Sequence, residues 1–415
     1  MALKRFRGGG SGRWSRLLVV VASTAALTTV LSGTADAAAA ACAKAAGQGD
    51  GAPDSAARFA SAIGDLAQWG TKAPYAGAFA SIKVDEKAQR VTVFAKDVDR
   101  ARTVVAAARG RVDSRVRKQV KVEVHQSKYS RAELETARER FFKSVPQLKQ
   151  AGTEVYGVSI KPDGLAVDVP DPAKATSLMQ TRAFTGAAPG VDVSFRRGER
   201  SKDAPVAKET VGVLSRADDY PPFASGTYMG HPLLGNCSTA YSIAQSNVTY
   251  LMTAGHCFNP GTQISTAGGS PVGRVVSHDT LTDAASIATN TWSGVFYFGE
   301  NWTHFRDSLW SYDNERVCHS GYISDQICLT VVDEEYWWIG DNGYQRMGVR
   351  ALADPGCGPG SYEGDSGGPV WSWRGDWGLH SRGLVSSGGF ASNYINFTET
   401  NRLLERWPGT RLLTR

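Results

Sequence analysis

Two stretches of the chain alternate apolar and polar residues with a period of two, then shift to helical spacing, and both do so in the same order. "SIKVDEKAQRVTVFAKD", Ser81 to Asp97, reads as two short strands joined by a tight turn. An Ala-rich helix follows from Val98 to Arg109, with Asp97 as its cap and Gly110 as its stop, and then the strand "QVKVEVH". "SIKPDGLAVDVPD", Ser159 to Asp171, repeats the strand pair. There Asp171 and Pro172 open a helix, and "VDVSF", Val191 to Phe195, closes the unit. Between the copies, "SRAE" at Ser130 forms a capping box that opens a charged helix to about Lys143. The pattern predicts an α+β region holding two ββαβ units, at about 78–125 and 155–197. Identities between them are too sparse to separate duplication from coincidence.

From Gly198 to Arg216 no period is sustained, and the polar, mixed-charge composition suits an exposed connector open to proteolysis. Beyond it the pattern changes. Short runs such as "STAYSI", "VTYLMTA" and "VGRVVS", separated by turn residues, predict an all-β barrel or sandwich. The last amphipathic run, "TNRLLERWPGTRLL", reads as a closing helix broken near Pro408. At the other end, Lys4, Arg5, Arg7, Arg13 and Arg16 precede the apolar run "LLVVVASTAALTTVL". That run is shorter than the roughly 20 residues that span a bilayer, and small residues ending in "ADA", Ala35 to Ala37, follow it. Residues 1–37 are therefore expected to be an export signal. Cys42 lies close behind, without the bulky apolar position that a lipid-modified cysteine needs.

Charge divides the chain at the same place as pattern. Residues 217–415 hold 11 arginines, no lysine and 19 acids, a formal charge of −8. Residues 1–216 hold 35 basic and 21 acidic residues, or +14. The basic residues are interspersed with acids through a region that folds, so mutual attraction of the two halves is a better reading than nucleic-acid binding. Six cysteines suit an oxidising destination. No CxxC and no HExxH occurs, so neither a metal nor a cofactor is expected.

The candidate chemistry sits in "GSYEGDSGGPVWSW". Ser366 there is a poor nucleophile until a base stands beside it. "YLMTAGHCF" offers His256 just after an apolar run, and "TDAASIA" offers Asp283 to hold the tautomer of that base. Asp279, in the turn-like "SHDT", is the rival for that task. The chain order His, Asp, Ser is one of the few that such triads adopt.

Together "TAGHC" and "GDSGGP" resemble the chymotrypsin-type serine peptidases. The preceding "CSTAYSI", the "VCHSG" segment and the basic front half resemble the bacterial streptogrisin and alpha-lytic protease type. The resemblance covers the last 200 or so residues well and the front half only in layout. It implies a peptidase domain over 217–415, with two six-stranded antiparallel β-barrels and a C-terminal helix. Residues 38–197 would be a pro-region and 198–216 the linker that is cut on maturation. The implied activity is that of a secreted serine endopeptidase acting through an acyl-enzyme. His256 would be the base, Asp283 its orienter and Ser366 the nucleophile. Backbone N–H groups of Gly364 and Ser366 would form the oxyanion hole. In "GLVSSGG", Ser386 would touch Asp283, while Ser387 and Gly388 would pair with an extended peptide.

The resemblance also implies Cys237–Cys257 and Cys318–Cys328 bridges, and leaves Cys42 and Cys357 unassigned. Gly360 and Val385 stand where charge-selecting relatives carry an acid or a histidine. The pocket is then expected to take a large apolar side chain, with Gly388 leaving its mouth open. His319 stands where such relatives place an arginine to hold the acid before the serine, here Asp365; Arg316 is the alternative. The expected partners are a protein or peptide substrate and the chain's own pro-region in cis. The expected state is a monomer that binds neither nucleic acid nor, once the signal is removed, a membrane. The alternative from another class is a catalytically silent protease-fold binding protein. An esterase would carry the order Ser, Asp, His, which this chain does not.

Overall fold

The computed structural model describes residues 55–67, 77–181, 184, 186–203, 214–289, 294–298, 301–355, 357–374, 378–388 and 393–414. Residues 1–37, expected to be an export signal, and Cys42 lie outside the described residues.

Each alternating stretch forms the predicted unit. Strands Phe79–Asp85 and Arg90–Ala95 pair antiparallel, and helix Val98–Arg111 crosses to strand Lys121–Gln126, which lies parallel to Arg90–Ala95. The second unit repeats this with Gly157–Lys161, Gly164–Val169, helix Pro172–Met179 and Val193–Arg197. Asp97 and Asp171 cap the two crossover helices, accepting from the backbone N–H three residues on, at 3.0 and 3.1 Å. A short helix, Ser114–Gln119, is added to the first unit. The helix opened by the Ser130 capping box runs to Gln150, well past Lys143, with Pro146 inside it. Proline removes one helical N–H, but the face Leu134, Ala137, Phe141 and Leu148 is buried and carries the helix through.

Most of the remaining strands form two antiparallel barrel sheets, the chymotrypsin-like arrangement; Val295–Phe298 and Asn301–His304 make a separate hairpin, and Asp307–Ser308 lies parallel to Leu379–Gly388. In the second barrel, strands Arg316–His319, Pro369–Trp373, Leu379–Gly388, Tyr394–Glu399, Gln345–Ala353 and Ile327–Ile339 follow one another. Pairing of the last with the first closes a ring of six. The first barrel's sheet has eight strands where the resemblance implies six. Tyr228–His231 and Gly235–Ser238 form a short hairpin at one edge. At the other edge the chain resumes after Pro408 as strand Thr410–Leu412, which pairs with Ser242–Gln245. The closing helix, Thr400–Arg406, is therefore not the last element of the chain.

The front half is joined to the second barrel by backbone and by charge. Strand Gly157–Lys161 pairs with Tyr336, Trp337 and Trp338, so the second ββαβ sheet continues the barrel sheet. Just before these aromatics come three consecutive acids, all buried: Asp333, Glu334 and Glu335. Lys161 reaches Asp333 at 2.5 Å, Arg196 reaches it at 2.8 Å, and Arg138 meets Glu335 at 2.9 Å. Arg131 contacts both glutamates. The +14 and −8 of the two halves thus meet in desolvated, specific pairs. Attraction between exposed charges would fade with salt; burial makes these contacts far less sensitive to screening.

Candidate active site

The site lies between the barrels. Strand Val248–Ala254 ends just before His256, and Asp283 immediately precedes strand Ala284–Thr289. The two strands pair Ala254 with Ala284, which brings the two loops together. The Cys237–Cys257 bridge ties the histidine loop to the hairpin that precedes it. Asp283 has φ of 47°, a left-handed conformation that aspartate tolerates better than most residues. It turns the carboxylate back: Oδ1 accepts from the His256 backbone N–H at 2.9 Å and Oδ2 lies 2.7 Å from Nδ1. His256 Nε2 is 3.0 Å from Ser366 Oγ. Ser386 Oγ donates to Asp283 Oδ2 at 2.5 Å. Asp279 accepts instead from the N–H groups of Leu281 and Thr282 and pairs with Arg406, away from the histidine.

Ser366 sits in a tight turn whose Gly364 has φ of +93°. A Cβ there would also lie 2.8 Å from the Tyr322 ring, so backbone conformation and space both require glycine. The serine carbonyl accepts from Ser238 N–H at 2.8 Å, and Gly364 O accepts from Ser238 Oγ at 2.8 Å. These bonds pin the turn to the first barrel.

Burial and charge act in opposite directions on the pair. Burial alone would lower the His256 pKa, but Asp283 reverses this and holds it above the usual imidazole value. Burial would raise the Asp283 carboxyl, but His256 and Arg346 keep it below the usual carboxylate range. The dyad therefore favours a carboxylate beside an imidazole that accepts a proton readily.

The structure places the other sequence-predicted residues as follows. Gly388 N–H donates to the carbonyl of Lys202 at 3.2 Å, and Ser387 Oγ accepts from Asn396 Nδ2 at 2.9 Å. The space beside Gly388 is not open: a Cβ there would fall 2.2 Å from Ser361 Oγ. Cys318 and Cys328 are bridged. Cys357, left unassigned by the resemblance, is disulfide-bonded.

His319 differs most from expectation. It is fully buried, and its Nε2 donates to the Gly360 carbonyl at 2.8 Å. Asp365 is held by backbone N–H groups of Ser324 and Tyr362, at 3.1 and 2.8 Å. Burial pushes the His319 pKa down despite the nearby Asp365, so the ring is neutral at neutral pH and cannot form the expected ion pair. Arg316 is not the alternative, because it pairs with Asp354. His319→Gln keeps a donor for Gly360 and is expected to leave the alkaline limb of the pH–rate profile unmoved. A rate titration of that variant between pH 7 and 10 checks this.

Two residues that the sequence reading passed over complete the site. Arg346, fully buried on strand Gln345–Ala353, lies 3.2 Å from Asp283 Oδ2. Asp203 binds the same guanidinium. It belongs to the expected connector, of which Arg200–Asp203 is held against strands of the second barrel. Tyr394 Oη donates to Arg200 O at 3.2 Å, and Ser201 is buried against Asn396 and Arg350. Nothing in "DNGYQRMG" marked Arg346 in the sequence, since its partners are remote in the chain.

No family model matches the chain, and no curated protein matches it. Among solved structures it is similar to Thermobifida fusca protease A, at 22% identity and a TM-score of 0.40. It is also similar to Nocardiopsis protease, at 23% and 0.36, and to Cellulomonas bogoriensis chymotrypsin, at 18% and 0.37. Each match covers 46% of this chain and 98% of the other.

Proposed function

We propose that this chain is the precursor of a secreted serine endopeptidase. The observation that carries the reading is the unbroken contact Asp283–His256–Ser366, at 2.7 and 3.0 Å, beside a left-handed Gly364. Ser366 Oγ attacks a peptide carbonyl as its proton passes to His256 Nε2. The resulting oxyanion is held by the N–H groups of Gly364 and Ser366. His256 then protonates the leaving amine, and water, deprotonated by the same imidazole, releases the acyl group from the serine. Asp283 stays ionised and stabilises the imidazolium; Ser386 holds the carboxylate in place.

In the precursor, Arg200–Asp203 lies along Gly388 where an extended substrate would pair with the strand, which keeps the cleft filled until the chain is cut. The two ββαβ units form the pro-region. The second of them, by continuing the second barrel's sheet, supplies a template for its hairpin. The test is intact-mass analysis of secreted protein after treatment with an organofluorophosphate, together with N-terminal sequencing. Wild type is expected to carry one adduct on Ser366 and to be processed between 198 and 216, whereas Ser366→Ala carries none. A folded wild-type protein without an adduct would favour a binding protein instead.

A further inference from the structure

The guanidinium of Arg346 is buried between two carboxylates with different futures. Asp283 is permanent, and it is already engaged by His256 Nδ1, the His256 N–H and Ser386 Oγ. Asp203 belongs to the segment that leaves. Arg346 forks onto it, Nη1 to Oδ1 and Nη2 to Oδ2, the latter at 2.9 Å. The geometry around this fork is built rather than incidental. Gly340 clears room for the guanidinium, because a Cβ there would lie 2.8 Å from Arg346 Cζ. Asp341 Oδ2 accepts the Asp203 backbone N–H at 3.0 Å, which fixes the residue that presents the carboxylate.

Register gives this contact its meaning. The Lys202 carbonyl pairs with Gly388, so Asp203 lies one residue nearer the triad. Strands repeat every two residues, so the next position to face the strand would lie opposite Ser386, which touches Asp283. A peptide in this register is attacked at the residue that follows the one on Arg346. Once Asp203 departs, the arginine keeps its charge, and one face of its fork has lost its partner. Asp283 and Asp341 still act on it, but a guanidinium whose fork has an open face favours a ligand carboxylate that takes both arms.

We propose that Arg346 is a specificity-determining residue that selects an acidic side chain, aspartate first, immediately before the substrate residue whose carbonyl is attacked. The proposal rests on the peptidase reading above. Arginine prefers a carboxylate to an amide at this place because only the carboxylate accepts both arms of the fork and neutralises the charge.

The test uses secreted, processed protein and fluorogenic peptides of the form acetyl-Arg-Ser-Lys-Z-X-amide, with X a mixture of apolar and aromatic residues. Z is Asp, Asn or Ala. Wild type is expected to turn over the Asp peptides with kcat/KM at least about 30-fold above the Asn peptides. Arg346→Gln is expected to bring that ratio close to one, and Arg346→Lys to retain part of it. Arg346 also touches Asp283, so absolute rates fall in both variants and only the ratio bears on selectivity. Wild-type ratios within threefold overturn the proposal, even if neither variant folds. Equal rates with Ser366 still labelled by the organofluorophosphate reject acid selection alone. No turnover together with no labelling rejects the peptidase reading and this proposal with it.

Discussion

Replacing His256 by alanine is expected to lower kcat by about 10⁴- to 10⁶-fold, with little change in KM. On the proposed mechanism the imidazole has two tasks, accepting the proton of Ser366 Oγ, 3.0 Å away, and returning it to the leaving amine. Without it the hydroxyl is a weak nucleophile, and what survives is the contribution of binding and the oxyanion donors. Asp283→Asn is expected to cost about 10⁴ through the wrong tautomer. It has a second consequence here. Arg346 would lose a counter-charge 3.2 Å away while remaining beside the imidazole. The base acts in its neutral form, and Asp283 holds its pKa above the ordinary 6.5. In wild type the acidic limb of kcat/KM therefore lies above that value, and activity is lost as pH falls through it. Asp283→Asn removes the main raising influence and moves the limb to lower pH. Under the proposed maturation, loss of Asp203 would move it the same way, by less, since that carboxylate also raises the imidazole. His256→Ala retaining more than about 1% of wild-type kcat would exclude the triad mechanism.

Much of the fold was legible because its signals are local. Asp97, Ser130 and Asp171 mark helix starts by side chains that bond only three residues away, and all three do so. Period-two runs define the strand pairs in both units. The histidine and serine motifs were legible for the same reason, since each is a short contiguous turn. What stayed hidden depends on contacts across the fold. The addition of Gly157–Lys161 to the barrel sheet joins positions more than 170 residues apart. The helix past Lys143 survives Pro146 through tertiary burial, which a local rule does not weigh. His319 resembled a charged partner for Asp365 by position, yet desolvation and the Gly360 carbonyl decide its state. Arg200–Asp203 looked like linker because polar residues there bond to Asn396, Arg350 and Arg346 rather than to one another.

Glu335→Gln is expected to destabilise the union of the front half with the second barrel by about 3–5 kcal/mol. The variant should lower both the yield of folded full-length protein and its denaturant midpoint. Glu335 is buried among Arg131, Arg138 and Arg402, two from the front half and one from the closing helix. Removing its charge leaves three buried cations with fewer acceptors, and burying unpaired charge is the costly part. Arg138 stacks over Trp337 at 3.9 Å, so Arg138→Met keeps most of the packing while removing a cation. The double variant should therefore recover part of the loss, and a double-mutant cycle reads the coupling.

The pH dependence separates this from simple loss of packing. Burial would push Glu335 up, but the three arginines hold it far below its usual value of 4.5. Its contribution is then complete above 4.5 and is lost only as pH falls toward strong acid. Glu399 behaves in the opposite sense. Burial and the charge of Glu335 push it up to about 7 against the pull of Arg402. The folded state binds its proton more tightly than the unfolded chain does, so stability declines as pH rises from 4.5 to about 7. Glu335→Gln removes a like charge from Glu399, and with it the main rival for Arg402. Its pKa should fall, and the decline between pH 4.5 and 7 should flatten. An unchanged midpoint at pH 7 with an unchanged slope over that range would mean that the arginines do not depend on Glu335.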